Sequence, residues 1–202
     1  MALSNITDFH NLHQDKNCFI LSSGPSLKSL DLSPLKRRIT IGLNRSFMIF
    51  PETQYHCVMD ERLFELYTPE LQKTRYLFTI PDRPFGIKIP LLGSEGFSQD
   101  LTKGIYSGYT VSYFALQLSL WMGFKNIFFL GLDLKNTLNE THFFGYDHRS
   151  GNHDQTEFPK MIRSFESVAT LIKEKSIKVY NCSLESSLDC FEKMSFEKAI
   201  KF

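Results

Sequence analysis

Short apolar runs alternate with longer mixed segments along most of the chain. Cys18-Phe19-Ile20-Leu21 is the first such run. It has no polar interruption and no helical period, and it reads as a strand buried on both faces. It leads into the turn Ser22-Ser23-Gly24-Pro25-Ser26, after which Leu27, Leu30, Leu32 and Leu35 return at roughly helical spacing. Strand, tight turn and helix together open a βα unit. Arg38–Gly42, Tyr55–Met59, Arg75–Ile80, Ile127–Gly131 and Ile177–Cys182 predict further short strands. Tyr109–Met122 is the strongest helical segment, apolar on nearly all sides as a helix between layers must be, with Gly123 placed to end it. Phe158–Lys175 predicts an amphipathic helix and Phe196–Lys201 a short terminal one. The expected fold class is α/β and Rossmann-like: a mostly parallel sheet, helices on both faces, and a lid-like loop region.

Nothing in the pattern marks a domain boundary or a repeat, so residues 1–202 are read as a single α/β domain. Residues 1–17 are polar and read as a loose lead-in. Asp82–Lys103, rich in Gly, Pro and Ser, reads as an irregular insertion. Residues 134–156 are polar, carry three histidines and form a candidate lid.

Composition narrows the class of partner. The net charge is +1, which gives no support to a large nucleic-acid footprint. None of the four cysteines forms a C-x-x-C pair, and Cys18, Cys57 and Cys182 sit in or beside apolar runs. That is the usage of a reducing compartment. The opening residues lack a basic segment followed by an apolar one, and Val111–Phe124 is interrupted by Ser112, Gln117, Ser119 and Gly123. A cytoplasmic chain without a membrane span is expected.

In open parallel sheets ligands bind beyond the carboxyl ends of the strands. Small and polar residues gather there: Ser23, Gly24, Pro25 and Ser26 after the first strand, Asn44 after the second, Asp60 after the third, and Asp133 after the run ending at Gly131. Gly24 allows close backbone approach, and a helix beginning at Pro25 would offer free N–H groups to an anion. A simple tight turn with a Ser cap explains the same residues equally well. Ser107-Gly108, before the buried helix, is either a second such turn or an ordinary helix start. No Walker A loop and no G-x-G-x-x-G occurs. Asp60 and Asp133 suit a ribose hydroxyl, Mg²⁺ or a helix cap, and no D-x-D pair advertises a metal. His142, His148 and His153 lack zinc-site spacing. Any of them fits either a solvated surface or a general base working near neutral pH.

Taken in order, these pieces resemble a known group. Phe19-Ile20-Leu21-Ser22-Ser23-Gly24-Pro25-Ser26-Leu27 is similar to the "GxGPSL" turn of bacterial sialyltransferases of the Campylobacter type. Ile41-Gly42-Leu43-Asn44-Arg45 is similar to their second-strand ending in Asn. Ser107-Gly108, the Ala/Leu-rich helix and Gly123–Asp133 are similar to their "TSG…A…LGYKEIYLSGID" segment. The resemblance spans most of Cys18–Asp133, and Kdo transferases and archaeal 6-hydroxymethylpterin diphosphokinases share the architecture. It implies a metal-independent glycosyltransferase with a nucleotide-activated, CMP-linked acidic sugar as donor and a glycan acceptor, serving surface-polysaccharide synthesis in a bacterium. No bound cofactor is implied. Ser23, Gly24, Pro25, Ser26, Asn44, Ser107, Gly108 and Asp133 would contact the donor. Thr141-His142-Phe143-Phe144-Gly145-Tyr146 is similar to the family's "SHYIGH" loop, which carries the base that deprotonates the acceptor. The family's His falls at Tyr146 and the Tyr before it at Phe143, so His142 and His148 become the candidate bases. The diphosphokinases imply the alternative: a Mg²⁺-dependent pyrophosphokinase on a pterin-like molecule, using Asp60 and Asp133. A binding protein of the same fold without catalysis is a third reading. Phe196–Phe202 is read as packing on the sheet, with weak peripheral membrane contact as its alternative.

Overall fold

The structure is a computed structural model and describes residues 3–135, 141–145 and 150–202. Its strands, in chain order, are β1 (Asn17–Leu21), β2 (Thr40–Leu43), β3 (Tyr55–Cys57), β4 (Tyr76–Thr79), β5 (Ile87–Lys88), β6 (Leu91–Gly93), β7 (Ile105–Tyr106), β8 (Asn126–Leu130), β9 (Lys178–Asn181) and β10 (Glu192–Lys193). The helices are α1 (Glu61–Gln72), α2 (Val111–Trp121), α3 (Ser150–Glu174) and α4 (Phe196–Ala199). Eight strands form one sheet in the order β10-β9-β8-β1-β2-β3-β4-β5, and every neighbouring pair is parallel. β6 and β7 pair separately. This is the Rossmann-like architecture that the apolar runs predict.

Alternation within each strand builds two cores. On β1, Cys18 and Ile20 face one layer while Phe19 and Leu21 face the other. β8 repeats this with Ile127 and Phe129 against Phe128 and Leu130. α2 and α3 cover the first layer. The second is closed by Leu27, Leu32 and Leu35 and by Phe196 of α4. Phe19, Phe128 and Tyr180 stack across adjacent strands at centroid distances of 4.9 and 5.1 Å. The terminal segment joins this layer: Phe202 lies 5.2 Å from Phe128, and Asn17 donates to its backbone carbonyl.

The short strands β5, β6, β7 and β10 are not among those that the sequence predicts, and three further elements depart from the expectation. The leucines after Gly24 form only short 3-10 turns, Pro25–Ser29 and Ser33–Arg37, each with a proline in its first turn. α1 arises where the sequence shows no clear helical stripe. Asp60 caps it, its backbone breaks helical geometry at Tyr67, and Pro69 lies within it. Residues 3–16 are not loose. Phe9 is fully buried, with its ring 4.9–6.1 Å from those of Tyr55, Tyr76 and Phe78. The backbone N–H groups of Asn11, His13 and Asp15 donate to the carbonyls of Trp121, Met122 and Gly123 at the end of α2.

A polar side chain of α2 helps to hold the insertion between β4 and α2. Gln117 is fully buried on α2. Its carbonyl accepts from Ser98 N and Tyr106 N at 3.1 and 3.3 Å, and its amide donates to the Tyr106 and Tyr113 carbonyls. A mostly apolar helix thus satisfies backbone groups of a segment whose own strands are only two or three residues long.

Candidate functional site

The chain builds the sheet outward from β1 in both directions. β2 to β5 are added on one side, and β8 to β10 on the other. The order therefore reverses between β1 and β8, which creates a crevice at their carboxyl ends. The register keeps those ends level: Leu21 lies opposite Gly42 on β2 and Leu130 on β8. A cleft of about 570 Å³ opens there.

Its floor is made by Ser22, Ser23 and Gly24 after β1, Asn44 and Arg45 after β2, and Gly131 to Lys135 after β8. One wall comes from Asp60 and Arg62 at the start of α1. The other comes from Tyr109 to Ser112 at the start of α2 and from Phe158 and Met161 of α3. Thr141, His142 and Phe144 reach it from the far rim. Three lining residues, Asn44, Tyr109 and Leu134, adopt left-handed backbone angles (φ 48°, 63° and 45°) although none is glycine. Such strain costs energy and tends to collect at working sites.

The turn after β1 is built differently from the expectation. Asp133 accepts from Ser26 N at 2.9 Å and from Ser26 Oγ at 2.6 Å. Its carboxylate thus occupies the anion position that the sequence assigns to a ligand. Ser26 Oγ also meets Ser183 Oγ at 2.9 Å, and neither Pro25 nor Ser26 lines the cleft. Gly24 N donates to Gly131 O at 2.8 Å. A Cβ at Gly24 would lie 2.5 Å from Asp133 Oδ2 and 2.6 Å from Gly131 O. The glycine is therefore required by the approach of β8's end. Ser107 and Gly108 likewise stand outside the lining. Ser107 Oγ accepts from Tyr109 N, and Gly108 (φ 53°) gives its side-chain space to Tyr113. Together they shape the turn that puts Tyr109 and the α2 cap Thr110 at the cleft.

Ser23, Gly24, Asn44, Asp133 and His142 are brought together at the cleft. His148 lies outside the described residues, as does much of the candidate lid. Asn44 is supported from behind. Its backbone carbonyl accepts from Nε2 of His56 at 2.8 Å, while its own side-chain Oδ1 is buried without a hydrogen-bond partner. His56 is fully buried, and loss of solvation pushes its pKa down to about 4. It is neutral near physiological pH, with its proton on Nε2 because Asn44 O can only accept. Gly42 leaves room for this ring against β2. The sequence reading did not single out His56, and a histidine inside an apolar strand was the available signal.

The far rim is tied to the floor twice. Phe143 N donates to Ser23 O at 2.9 Å. Phe144 stacks on the His142 ring at 4.7 Å and lies under the Arg45 guanidinium, whose carbon is 4.6 Å from its centroid. Arg45 also stands 5.6 Å from the Tyr67 ring, which the break in α1 presents to it. Arg45, Arg62 and Lys135 bring positive charge to the lining. Among the described residues its two acids are engaged in holding backbone: Asp133 binds Ser26, and Asp60 Oδ1 accepts from Arg62 N at 3.0 Å. Among the described residues no group of three or more His, Cys, Asp and Glu side chains converges. No helix among them is long and apolar enough to cross a membrane.

A parallel sheet with a polar cleft at its switch point defines the broad class of α/β ligand-binding folds. A particular likeness within that class is to the sialyltransferase CstII from Campylobacter jejuni, solved in complex with a substrate analogue, cytidine-5'-monophosphate. The match covers 90% of this chain and 86% of that one, with a TM-score of 0.51 and 16% sequence identity. The chain thus has a sialyltransferase-like fold. No protein-family model and no curated protein matches the sequence.

Proposed function

We propose that the chain is a glycosyltransferase that takes a nucleotide-activated acidic sugar, CMP-linked, and passes it to a hydroxyl of a glycan acceptor. The observation that carries this reading is the composition of the switch-point cleft. The β1 turn, Asn44 and His142 meet in it, in a fold that matches a CMP-bound sialyltransferase. Arg62 and the start of α2 offer a guanidinium and backbone N–H groups at the cleft, which suits a nucleoside phosphate. Asn44 Oδ1, buried and lacking a donor, suits an N–H or O–H of the nucleoside.

In the proposed reaction the acceptor oxygen attacks the anomeric carbon. The bond from that carbon to the phosphate oxygen breaks, and CMP departs with the electron pair. His142, or His148 from the segment outside the described residues, takes the acceptor's proton. The step needs no metal. Asp133, one of the two acids that the pyrophosphokinase alternative would assign to Mg²⁺, gives both oxygens to Ser26, which favours the transferase. Synthesis of a surface glycan in the cytoplasm of a bacterium completes the proposal.

The test begins with a thermal-shift screen of CMP, CDP, UDP, GDP, and ATP with Mg²⁺, since a ligand bound only by the folded state raises the melting temperature. A rise with CMP or CDP in the presence of chelator supports the reading, and a rise only with ATP and Mg²⁺ overturns it. CMP release from a CMP-sugar donor in His142→Ala and His148→Ala then tests the base. Loss of about 10²-fold or more in one variant is expected for a general base. Full turnover in both overturns the assignment of the base to His142 or His148.

A further inference from the structure

Four consecutive residues of the insertion each accept a hydrogen bond from the entrance to α2. Gly93 O and Ser94 O take the N–H groups of Ser107 and Gly108, both at 2.9 Å. Glu95 Oε1 takes the Tyr109 hydroxyl at 2.9 Å, and Gly96 O takes the Tyr113 hydroxyl at 2.8 Å. These bonds fix a backbone that would otherwise relax. Tyr109 sits at φ 63°, and its N–H donates to Ser107 Oγ at 3.3 Å. A bulky aromatic residue gains nothing locally from a left-handed backbone. Strain of this kind persists where the surrounding structure over-determines it and where a side chain has a task.

Tyr109 lines the cleft beside Val111, with Phe158 and Met161 of α3 on the same wall. The Lys160 ammonium stands 5.3 Å from the centroid of its ring. Lys160 is not a lining residue, and Glu157 Oε1 pairs with its Nζ at 2.7 Å. The cation therefore covers the ring from outside the cleft, while the hydroxyl at the ring's edge is tied to Glu95. These contacts leave π-surface to the cleft, at a fixed place beside the polar floor of Ser22, Ser23 and Asn44. A nucleobase is a planar ring with two π-faces, and an aromatic side chain already held in place is what it stacks upon.

We propose that Tyr109 is the wall on which the nucleobase of the donor stacks, with Glu95 and Lys160 as the groups that hold its ring. This rests on the nucleotide-donor reading and deepens it, because it assigns the base to the side of the cleft built by α2 and α3. The strain at Tyr109 then has a return: it presents a ring face to the cleft before any ligand arrives, so binding does not have to order the side chain. Phenylalanine at this position keeps the ring and loses the Glu95 bond. Leucine keeps apolar bulk without a π-face, and glycine removes both the ring and the strain.

The experiment is calorimetric titration of the full chain with CMP and with ribose 5-phosphate, which lacks the base, for wild type, Tyr109→Phe, Tyr109→Leu and Tyr109→Gly. Tyr109→Leu and Tyr109→Gly should lose about tenfold or more in CMP affinity, as for one stacked base, with ribose 5-phosphate affinity unchanged. Tyr109→Phe should recover most of that loss. Ligand-free melting curves identify any variant that fails to fold. Glycine adopts this backbone angle without strain, so Tyr109→Gly carries the test if Tyr109→Leu does not fold. Where ribose 5-phosphate binds too weakly to read, the comparison of Tyr109→Phe with the two ring-free variants decides. Equal loss for CMP and ribose 5-phosphate, equal loss in Tyr109→Phe and Tyr109→Leu, or no loss for CMP overturns the stacking role and leaves the nucleotide reading standing. If wild type does not bind CMP, the nucleotide reading fails and the stacking role fails with it.

Discussion

The buried His56 gives a pH-dependent stability that can be worked through. Its ring is held neutral in the fold with a pKa of about 4, against about 6.5 in an unfolded chain. Between those values the unfolded state binds a proton that the folded state refuses. Stability therefore rises with pH across this window and is lost as pH falls from about 6.5 toward 4. The full difference corresponds to roughly 3 kcal/mol, of which about 2–3 kcal/mol appears between about pH 7 and pH 4.5. His56→Phe removes the titrating group and leaves the Asn44 carbonyl without its donor. At about pH 7 the variant should be less stable than wild type by about 1–3 kcal/mol, the cost of an unmet buried carbonyl. At about pH 4.5 the gap should close or reverse, because wild type alone carries the histidine penalty. Urea denaturation of both proteins at each pH measures this, and the other titrating groups cancel in the comparison. If the wild-type-minus-variant difference is the same at both pH values, His56 is not the neutral, buried donor described above.

Other changes separate scaffold from site. Gly24→Ala forces a Cβ to within 2.5 Å of Asp133 Oδ2, and it should lower the melting temperature even without ligand. An unchanged ligand-free melt combined with weaker CMP binding would instead put a ligand at that surface. Gln117→Leu strands the Ser98 and Tyr106 backbone groups, at a cost of about 2 kcal/mol or more by chemical denaturation. Hydrogen exchange should quicken first in residues 97–107. Phe9→Ala should cost about 3–5 kcal/mol, as for a large buried ring. A loss under about 1 kcal/mol would show that the first residues are dispensable to the core.

The six strands read from the sequence were legible because they are largely buried on both faces, and runs such as Cys18–Leu21 and Ile127–Leu130 allow little else; β5, β6, β7 and β10, of two or three residues with exposed or half-buried positions, carry no such run. The cleft followed from them, since strand ends collect ligand residues whatever the chemistry. α1 was hidden by Pro69 and by a buried face of only Leu63, Phe64 and Leu71. The N-terminal segment looked loose because Ile6 and Phe9 are too few to show a period, although both are buried. Local reading misassigned the environment of Ser26 for a different reason. Its partners Asp133 and Ser183 are 107 and 157 residues away, and no spacing rule reaches that far. Arg45 was passed over because the rings that give it a place come from Tyr67 and Phe144, both outside its own turn.

The Ser26–Asp133–Ser183 cluster also sets a timetable. Parallel pairing across long intervals is slow to form, since chain-closure entropy must be met before the contact returns anything. The β1 turn cannot take its final shape until β8 has docked beside β1 and brought Asp133 to Ser26. Ser183 is added only after β9 has joined β8. During synthesis the N-terminal half therefore emerges with its cleft unfinished, and a ligand of that cleft cannot template its folding. The cleft is completed late, once the far side of the sheet is in place.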